Sequence, residues 1–281
     1  MKKMYLSAPL PFVGQKRMFA KQFIDVINKY PDDTIFVDLF GGSGLLSHIA
    51  KFNKPNSTVV YNDFDNFRLR LDNIPRTNKL LRDLREIVKD IPKYSIIKDE
   101  PRELIFERLE REQREFGYID FITISTSILF SSKYKMSIDE MHHDSLYNRL
   151  RAKDIEQPEG YLDGLEITSC DYRILFNKYK DNPHAVFILD PPYLNTDVKT
   201  YNMSWGLKDY LDVLTVLDKH RFIYFTSNKT SIVELCAWMN KHKNFEDPFA
   251  NCKNNSHLVS LNYECQYSYI MFYNEDFKSA A

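Results

Sequence analysis

With 281 residues, the chain suits one large or two modest domains and has ample length for a buried core. Its formal net charge of −1 excludes attachment to polyanions by bulk electrostatics alone, so any nucleic-acid contact must come from a local basic patch. The start, Met1-Lys2-Lys3-Met4-Tyr5, leads to Ser7, Pro9 and Pro11 rather than to a signal peptide, and no stretch approaches the ~18 apolar residues of a membrane helix.

Taken in order, Ala8 to Phe19 reads as a loop with prolines and Gly14 that runs into an amphipathic helix, with Phe19, Phe23, Val26 and Ile27 at helical spacing. Lys16 and Arg17 sit at its mouth, where a helix amino end favours anions. Thr34 to Phe40 is β-branched and apolar enough for a buried parallel strand, and Gly41-Gly42-Ser43-Gly44 then opens a helix at Leu45. Strand, glycine turn and helix together let a ligand approach bare backbone, an arrangement common to dehydrogenases, flavoproteins and methyltransferases. A second strand, Ser57 to Tyr61, ends in Asn62-Asp63 about 20 residues on, where an acid is placed to accept hydrogen bonds from a ribose. The competing reading has Asp63 capping a helix from Phe64 to Leu71.

From about Asn66 to Glu166 the strand rhythm is interrupted. Pro101 to Glu115 reads as a charged helix whose Glu107/Arg111 and Glu110/Arg114 pairs at i,i+4 mark a solvated face, and Tyr118 to Phe130 is apolar enough for a buried helix. Clustered bases follow: Lys133 and Lys135 flank Tyr134, and Arg149, Arg151 and Lys153 come after Tyr147. Such residues can track phosphates and contact bases, and the insertion is large enough to be its own small domain; a helical cap with ordinary surface lysines is the alternative.

The α/β rhythm then resumes. Glu166 to Cys170 reads as a short strand with Asp171-Tyr172 at its end, followed by a helix to about Tyr179. The apolar run Ala185 to Leu189 must stop at Asp190-Pro191-Pro192-Tyr193, because two prolines remove two backbone donors and fix φ. A carboxylate, a backbone carbonyl and an aromatic ring are thereby held at a strand's carboxyl end, the edge where open α/β sheets bind ligands; an ordinary tight turn is the alternative. Leu194 to Trp205, which includes Lys199, is polar and aperiodic and reads as a mobile loop over the site. A helix at Leu207 to Leu217, a strand at Arg221 to Thr226 ending in Ser227-Asn228, and a helix at Ser231 to His242 follow. A polar loop at Asn251 to Ser256 and short strands at His257 to Asn262 and Gln266 to Tyr273 complete the chain. Cys170, Cys236, Cys252 and Cys265 have no metal or redox spacing and read as reduced thiols of a cytoplasmic protein. His142-His143 has no ligand partners at metal spacing, so no metal is expected.

Several of these segments, in this order, resemble the Dam-type family of DNA adenine-N6 methyltransferases: residues 9–16 (Pro-Leu-Pro-Phe-Val-Gly-Gln-Lys), Asp38 to Gly44, Asn62-Asp63, Asp171, Asp190-Pro191-Pro192-Tyr193 and Thr226-Ser227-Asn228. The resemblance spans nearly the whole chain. It implies an α/β fold: a Rossmann-like methyltransferase sheet with helices on both faces, from residues 1–65 and 166–281, and an inserted, mainly helical target-recognition domain at 66–165. It also implies S-adenosylmethionine as the methyl donor. Phe12, Gly14 and Lys16 would border this cofactor, Asp38, Phe40, Gly41, Gly42 and Gly44 would hold its methionine part, Asp63 its ribose and Asp171 its adenine, with Tyr172 also among the cofactor-binding residues. Lys133, Lys135, Arg149, Arg151 and Lys199 would meet double-stranded DNA, and no obligatory protein partner is indicated. Three positions depart from the family's pattern: Phe12 stands where tryptophan is usual, Gln15 where a second glycine is common, and Leu39 where proline often follows the acid.

The chemistry that the resemblance implies accounts for these residue types. An adenine amine is a poor nucleophile because its lone pair is delocalised into the ring. The Asp190 carboxylate and the Pro191 carbonyl, on a turn stiffened by Pro192, would accept its two hydrogens, while Tyr193 stacks on a base flipped from the duplex. In-line attack on the methyl group then needs orientation and charge placement, with no covalent intermediate. Two rivals stand beside this expectation. One is an RNA or protein-amide methyltransferase of the same fold, which more often carries Asn at the first position of the tetrapeptide. The other is a nucleic-acid-binding protein with a degenerate cofactor pocket.

Overall fold

The computed structural model describes residues 3–130, 134–192, 206–230, 232–242, 246–260 and 266–274. Lys133, Tyr193, Cys265 and the loop expected at Leu194 to Trp205, with Lys199, lie outside the described residues. The chain divides into two compact units: Met1–Ser7, Gln15–Asp65 and Gly160–Ala281 form the first, and Ala8–Gly14 with Asn66–Glu159 form the second.

The first unit is built on a seven-stranded sheet of order β5-β2-β1-β6-β7-β9-β8. Its strands are β1 (Ile35–Asp38), β2 (Thr58–Asn62), β5 (Glu166–Thr168), β6 (Ala185–Leu189), β7 (Phe222–Ser227), β8 (Lys253–Ser260) and β9 (Gln266–Tyr273). The first five of these run parallel to one another, and β9 runs antiparallel to both β7 and β8. Helices α1 (Ala20–Ile27), α2 (Leu45–Asn53), α8 (Tyr172–Tyr179), α9 (Leu207–Leu217) and α10 (Ile232–His242) complete the unit.

Side chains of a strand alternate between faces, so strands apolar throughout need cover on both sides. Phe36, Val59, Val186, Ile188 and Phe225 join one core with Phe23 and Val26 of α1 and Ile49 and Ala50 of α2. Val37, Val60, Phe187, Leu189 and Tyr224 join the other core with Leu175 of α8, Val213 and Leu217 of α9, and Ile232 and Cys236 of α10. The chain leaves β1 towards β2 and β5 on one side and reaches β6 and β7 on the other. The order therefore reverses between β1 and β6, and the carboxyl ends of those two strands frame a crevice where such sheets bind ligands.

Two expectations need correction here. The polar run Asn251 to Ser256 is largely strand, because β8 begins at Lys253 and pairs with β9 from Lys253↔Tyr273 onward. It is an edge strand whose residues alternate between exposed and half-buried from Asn254 to Val259, so polar side chains are tolerated and low hydropathy carries no information. Gly160–Leu165 belongs with the sheet: Tyr161 stacks on His48 of α2 at 4.8 Å, and its hydroxyl donates to the Ser43 carbonyl at 3.0 Å.

The second unit carries α3 (Phe67–Asp72), α4 (Ile74–Ile87), α5 (Asp99–Phe116), α6 (Phe121–Ile128) and α7 (Ile138–His142), with β3 (Ile96–Ile97) paired to β4 (Leu146–Tyr147). Leu80, Leu84, Ile105, Leu109, Ile124, Ile128, Met141 and Leu146 are among its core residues. Ala8–Gly14 is fastened to it by the Arg70 guanidinium, which donates to the Pro11 carbonyl at 2.8 Å, and by Phe12, edge-on to Phe67 at 5.7 Å. Helix α5 does present Glu110 and Arg114 on an open face, 3.6 Å apart. Its other face buries Arg108, which bonds Asp83 at 2.9 Å and Glu112 at 2.8 Å, while Arg76 reaches Glu112 at 2.9 Å. Charged residues on that side are therefore internal, an outcome that i,i+4 charge spacing alone does not distinguish from solvation.

Candidate active site

The carboxyl ends of β1 and β6 bring Asp38, Asp190 and Lys16 together. Strand β1 ends in Asp38, which is 1% exposed, and Asp190 directly follows Leu189, the last residue of β6. The parallel register aligns Asp38 with Ile188, two residues before Asp190. Lys16, 5% exposed, donates from Nζ to Asp190 Oδ2 at 2.5 Å. This contact joins residues 174 positions apart, and nothing in the local sequence of either announces it.

The electrostatics follow from burial. The Asp190 carboxyl sits above the usual carboxylate range, because burial raises it more than the Lys16 charge and hydrogen bond lower it. The Asp38 carboxyl is pushed up to about 7, chiefly by burial; the Asp190 charge adds to this, and the Ser47 hydroxyl and Phe40 backbone oppose it. Ser47 Oγ donates to Asp38 Oδ2 at 2.7 Å, whereas Asp38 Oδ1 is buried with no hydrogen-bond partner among the described residues. On β9, Tyr269 has its phenol held well above its ordinary value by burial, with the Tyr267 hydroxyl and the Asp190 charge contributing.

The glycine turn after β1 is shaped by Tyr61. A Cβ on Gly41 would lie 2.3 Å from the Tyr61 ring and 2.9 Å from the Asn62 carbonyl, so only glycine fits there. Gly42 and Gly44 take φ of 50° and 70°, and the Gly44 amide closes the turn onto the Gly41 carbonyl at 2.7 Å. Tyr61 Oη lies 2.8 Å from the Gly42 carbonyl and 2.9 Å from Asp63 Oδ1. Asp63 is buried, and it is not a helix cap: α3 starts at Phe67 with Asn66 in the capping position. Asn62 ties neighbouring strand ends together, donating to the Leu39 carbonyl at 3.0 Å and the Cys170 carbonyl at 2.9 Å, and accepting from the Cys170 amide at 3.0 Å.

At the end of β5, Asp171 is the N-cap of α8 and accepts from the Arg173 amide through Oδ1 at 2.8 Å. The Tyr172 ring is buried and tilted against Phe40, 4.9 Å between centroids, so these two aromatic residues do share one wall. Phe12 and Gly14 fall in the second unit. Of the bases expected to meet DNA, Lys135 pairs with Asp144 at 2.8 Å, Arg149 donates to the Leu129 carbonyl at 2.9 Å, and Arg151 is exposed. Asn228 Oδ1, in the segment after β7, accepts from the Ser268 amide at 2.9 Å and so joins the ends of β7 and β9.

Tyr61 and Ser47 are the functional candidates that sequence reasoning passed over. Tyr61 shares a strand face with Asp63 at period 2, a signal that was available. Ser47 in the first full turn of α2 carries no comparable signal.

A model of the D12 class N6 adenine-specific DNA methyltransferases matches residues 12–227. The chain belongs to this family. A protein of Haemophilus influenzae described as "Putative methyltransferase" is 36% identical over 253 residues, 86% of this chain and 83% of its own length. For a member of this family the mostly parallel sheet flanked by helices is the scaffold of a methyltransferase, and the family implies S-adenosylmethionine as methyl donor. The first unit suits such a cofactor: Asp38 Oδ1 is a buried acceptor lacking a donor, and a glycine turn and a second buried carboxylate, Asp63, lie on the neighbouring strand ends. No helix among the described residues is long and apolar enough to cross a membrane, and no group of three or more His, Cys, Asp or Glu among them is arranged to hold a metal ion.

Proposed function

We propose that this protein is a site-specific DNA methyltransferase that moves a methyl group from S-adenosylmethionine to the N6 amine of an adenine flipped out of duplex DNA. The observation that carries this reading is the Asp190 carboxylate, fixed by Lys16 at the carboxyl end of β6 beside Asp38. The cofactor supplies, when bound, a methyl group activated by its sulfonium charge. Asp38 Oδ1 and the turn from Phe40 to Gly44 hold its methionine part, Asp63 accepts from its ribose, and Asp171, whose Oδ1 is engaged in the α8 cap, offers Oδ2 to its adenine.

Asp190 must be ionised to accept an amine hydrogen, and burial works against ionisation. Lys16 counters that by placing a positive charge on the oxygen Oδ2. The Pro191 carbonyl, on a turn stiffened by the two prolines, accepts the second hydrogen. Two acceptors on one amine draw its lone pair out of the ring and direct it away from both. Tyr193 stacks on the base, and Arg151 with Lys133, Lys135, Arg149 and Lys199 supplies phosphate contacts.

Incubation with radiolabelled S-adenosylmethionine and unmethylated duplex DNA tests this. Label is expected on adenine N6, and Asp190→Ala is expected to abolish transfer while cofactor binding persists. Label on RNA or protein would replace this reading with the same-fold rival, and binding without transfer to any DNA would favour a nucleic-acid-binding protein.

A further inference from the structure

We infer that Tyr61 is a positioning residue that couples occupancy of the ribose-binding carboxylate to the shape of the glycine turn. The inference rests on the reading of Asp63 as the ribose acceptor. Tyr61 Oη lies 2.8 Å from the Gly42 carbonyl and 2.9 Å from Asp63 Oδ1, and both of those atoms are acceptors. A phenol carries one proton, so it satisfies one of them at a time. Burial keeps the phenol protonated far above its ordinary range, so the proton is always there to be directed.

The ring itself has nowhere to go. It is fully buried in β2, and its edge fills the space a Cβ of residue 41 would need. The oxygen is therefore fixed by packing, and only the O–H bond can rotate between its two acceptors. A hydrogen bond to a carboxylate is roughly twice as strong as one to a neutral carbonyl, so without ligand the proton points to Asp63. The Gly42 carbonyl then faces a lone pair instead of a donor. Ribose hydroxyls donating to Asp63 share its charge among more donors and weaken its pull on the phenol proton, so the proton turns to Gly42 and the turn from Gly41 to Gly44 is tied down. The proton stays on the phenol oxygen throughout.

Hydrogen exchange with mass spectrometry, on a peptide covering residues 38–46 of the full chain, tests the coupling. The probes are saturating adenosine and saturating 2′,3′-dideoxyadenosine, which lacks the ribose diol. In the wild-type protein, exchange in the turn is expected to be about fivefold slower with adenosine than with the dideoxy analogue, the lower end of usual coupling strengths. In Tyr61→Phe, which keeps the ring under Gly41, the two probes are expected to protect the turn equally. Equal protection by both probes in the wild type overturns the coupling and needs no variant to fold. If neither adenosine nor S-adenosylhomocysteine binds, the cofactor reading itself fails and Tyr61 loses its role with it. Adenosine binding without diol-dependent protection removes the coupling alone.

Discussion

Replacing Lys16 with methionine keeps the length of the stem, removes the charge and strands the Asp190 carboxylate. Nζ and Oδ2 are 2.5 Å apart, with side chains 6% and 20% exposed. For charge centres about 4 Å apart and an effective dielectric near 20, the lost attraction is about 4 kcal/mol. Residual solvent contact and uptake of a proton relieve part of this, so a loss of about 3 kcal/mol is expected at about pH 8. Asp190 lies above its ordinary value even with Lys16 in place, and removing Lys16 raises it further. A carboxyl whose folded value exceeds its unfolded value near 3.9 costs nothing below the unfolded value, and its full cost appears above the folded one. The deficit of Lys16→Met relative to wild type therefore grows as pH rises and is smaller at about pH 5 than at about pH 8. Urea unfolding at the two pH values measures it, and the rising limb of the pH profile of methyl transfer should move to higher pH. Lys16→Met combined with Asp190→Asn removes the stranded charge and should regain most of the stability. An equal deficit at both pH values, or a double variant as unstable as Lys16→Met, would refute the account of the pair.

Two further outcomes follow from the same crevice. Asp38, held at about 7 against an ordinary 3.8, binds a proton in the folded chain that the unfolded chain has lost, so it costs stability as pH rises from 4 to 7, about 4 kcal/mol in full. A ligand ammonium beside Oδ1 favours the ionised form, so S-adenosylhomocysteine should release a proton on binding at about pH 6, and calorimetry in buffers of different ionisation enthalpy that gave identical heats would contradict this. Gly41→Ala forces a Cβ to within 2.3 Å of the Tyr61 ring and should cost about 2 to 3 kcal/mol in urea unfolding. A loss under about 1 kcal/mol would mean that the ring can move aside, which the proton-switching role of Tyr61 forbids.

Much of the architecture was legible because its signals are local. The apolar runs at Ile35–Asp38 and Ala185–Leu189 need cover on both faces, and the glycine turn and the two prolines mark where each strand must stop. The edge strand from Lys253 was missed because a strand with one open side and one neighbour needs little hydropathy to form. The internal face of α5 was missed for a related reason. Glu112 and Arg108 have the same i,i+4 spacing as Glu110 and Arg114, and only the packing of α4 against α5, with Asp83 and Arg76 at hand, makes one pair internal.

The site divides along the same line. Asp38, Asp63 and Asp190 were legible because each is an acid placed where a buried strand ends, a position that has no structural use for a charge. What those acids do depends on partners that the chain brings from elsewhere. Lys16 decides how readily Asp190 ionises, across 174 residues, and Ser47 leaves one Asp38 oxygen satisfied and the other open. Tyr61 looks like core filler in a strand, yet its ring dictates glycine at position 41 and its one proton lies between the turn and Asp63. Strand ends therefore show where buried acids collect, and the tuning of those positions resides in contacts between segments. A substitution at Lys16 should accordingly change how Asp190 titrates, and one at Tyr61 how the glycine turn responds to ligand, while the sheet stays intact.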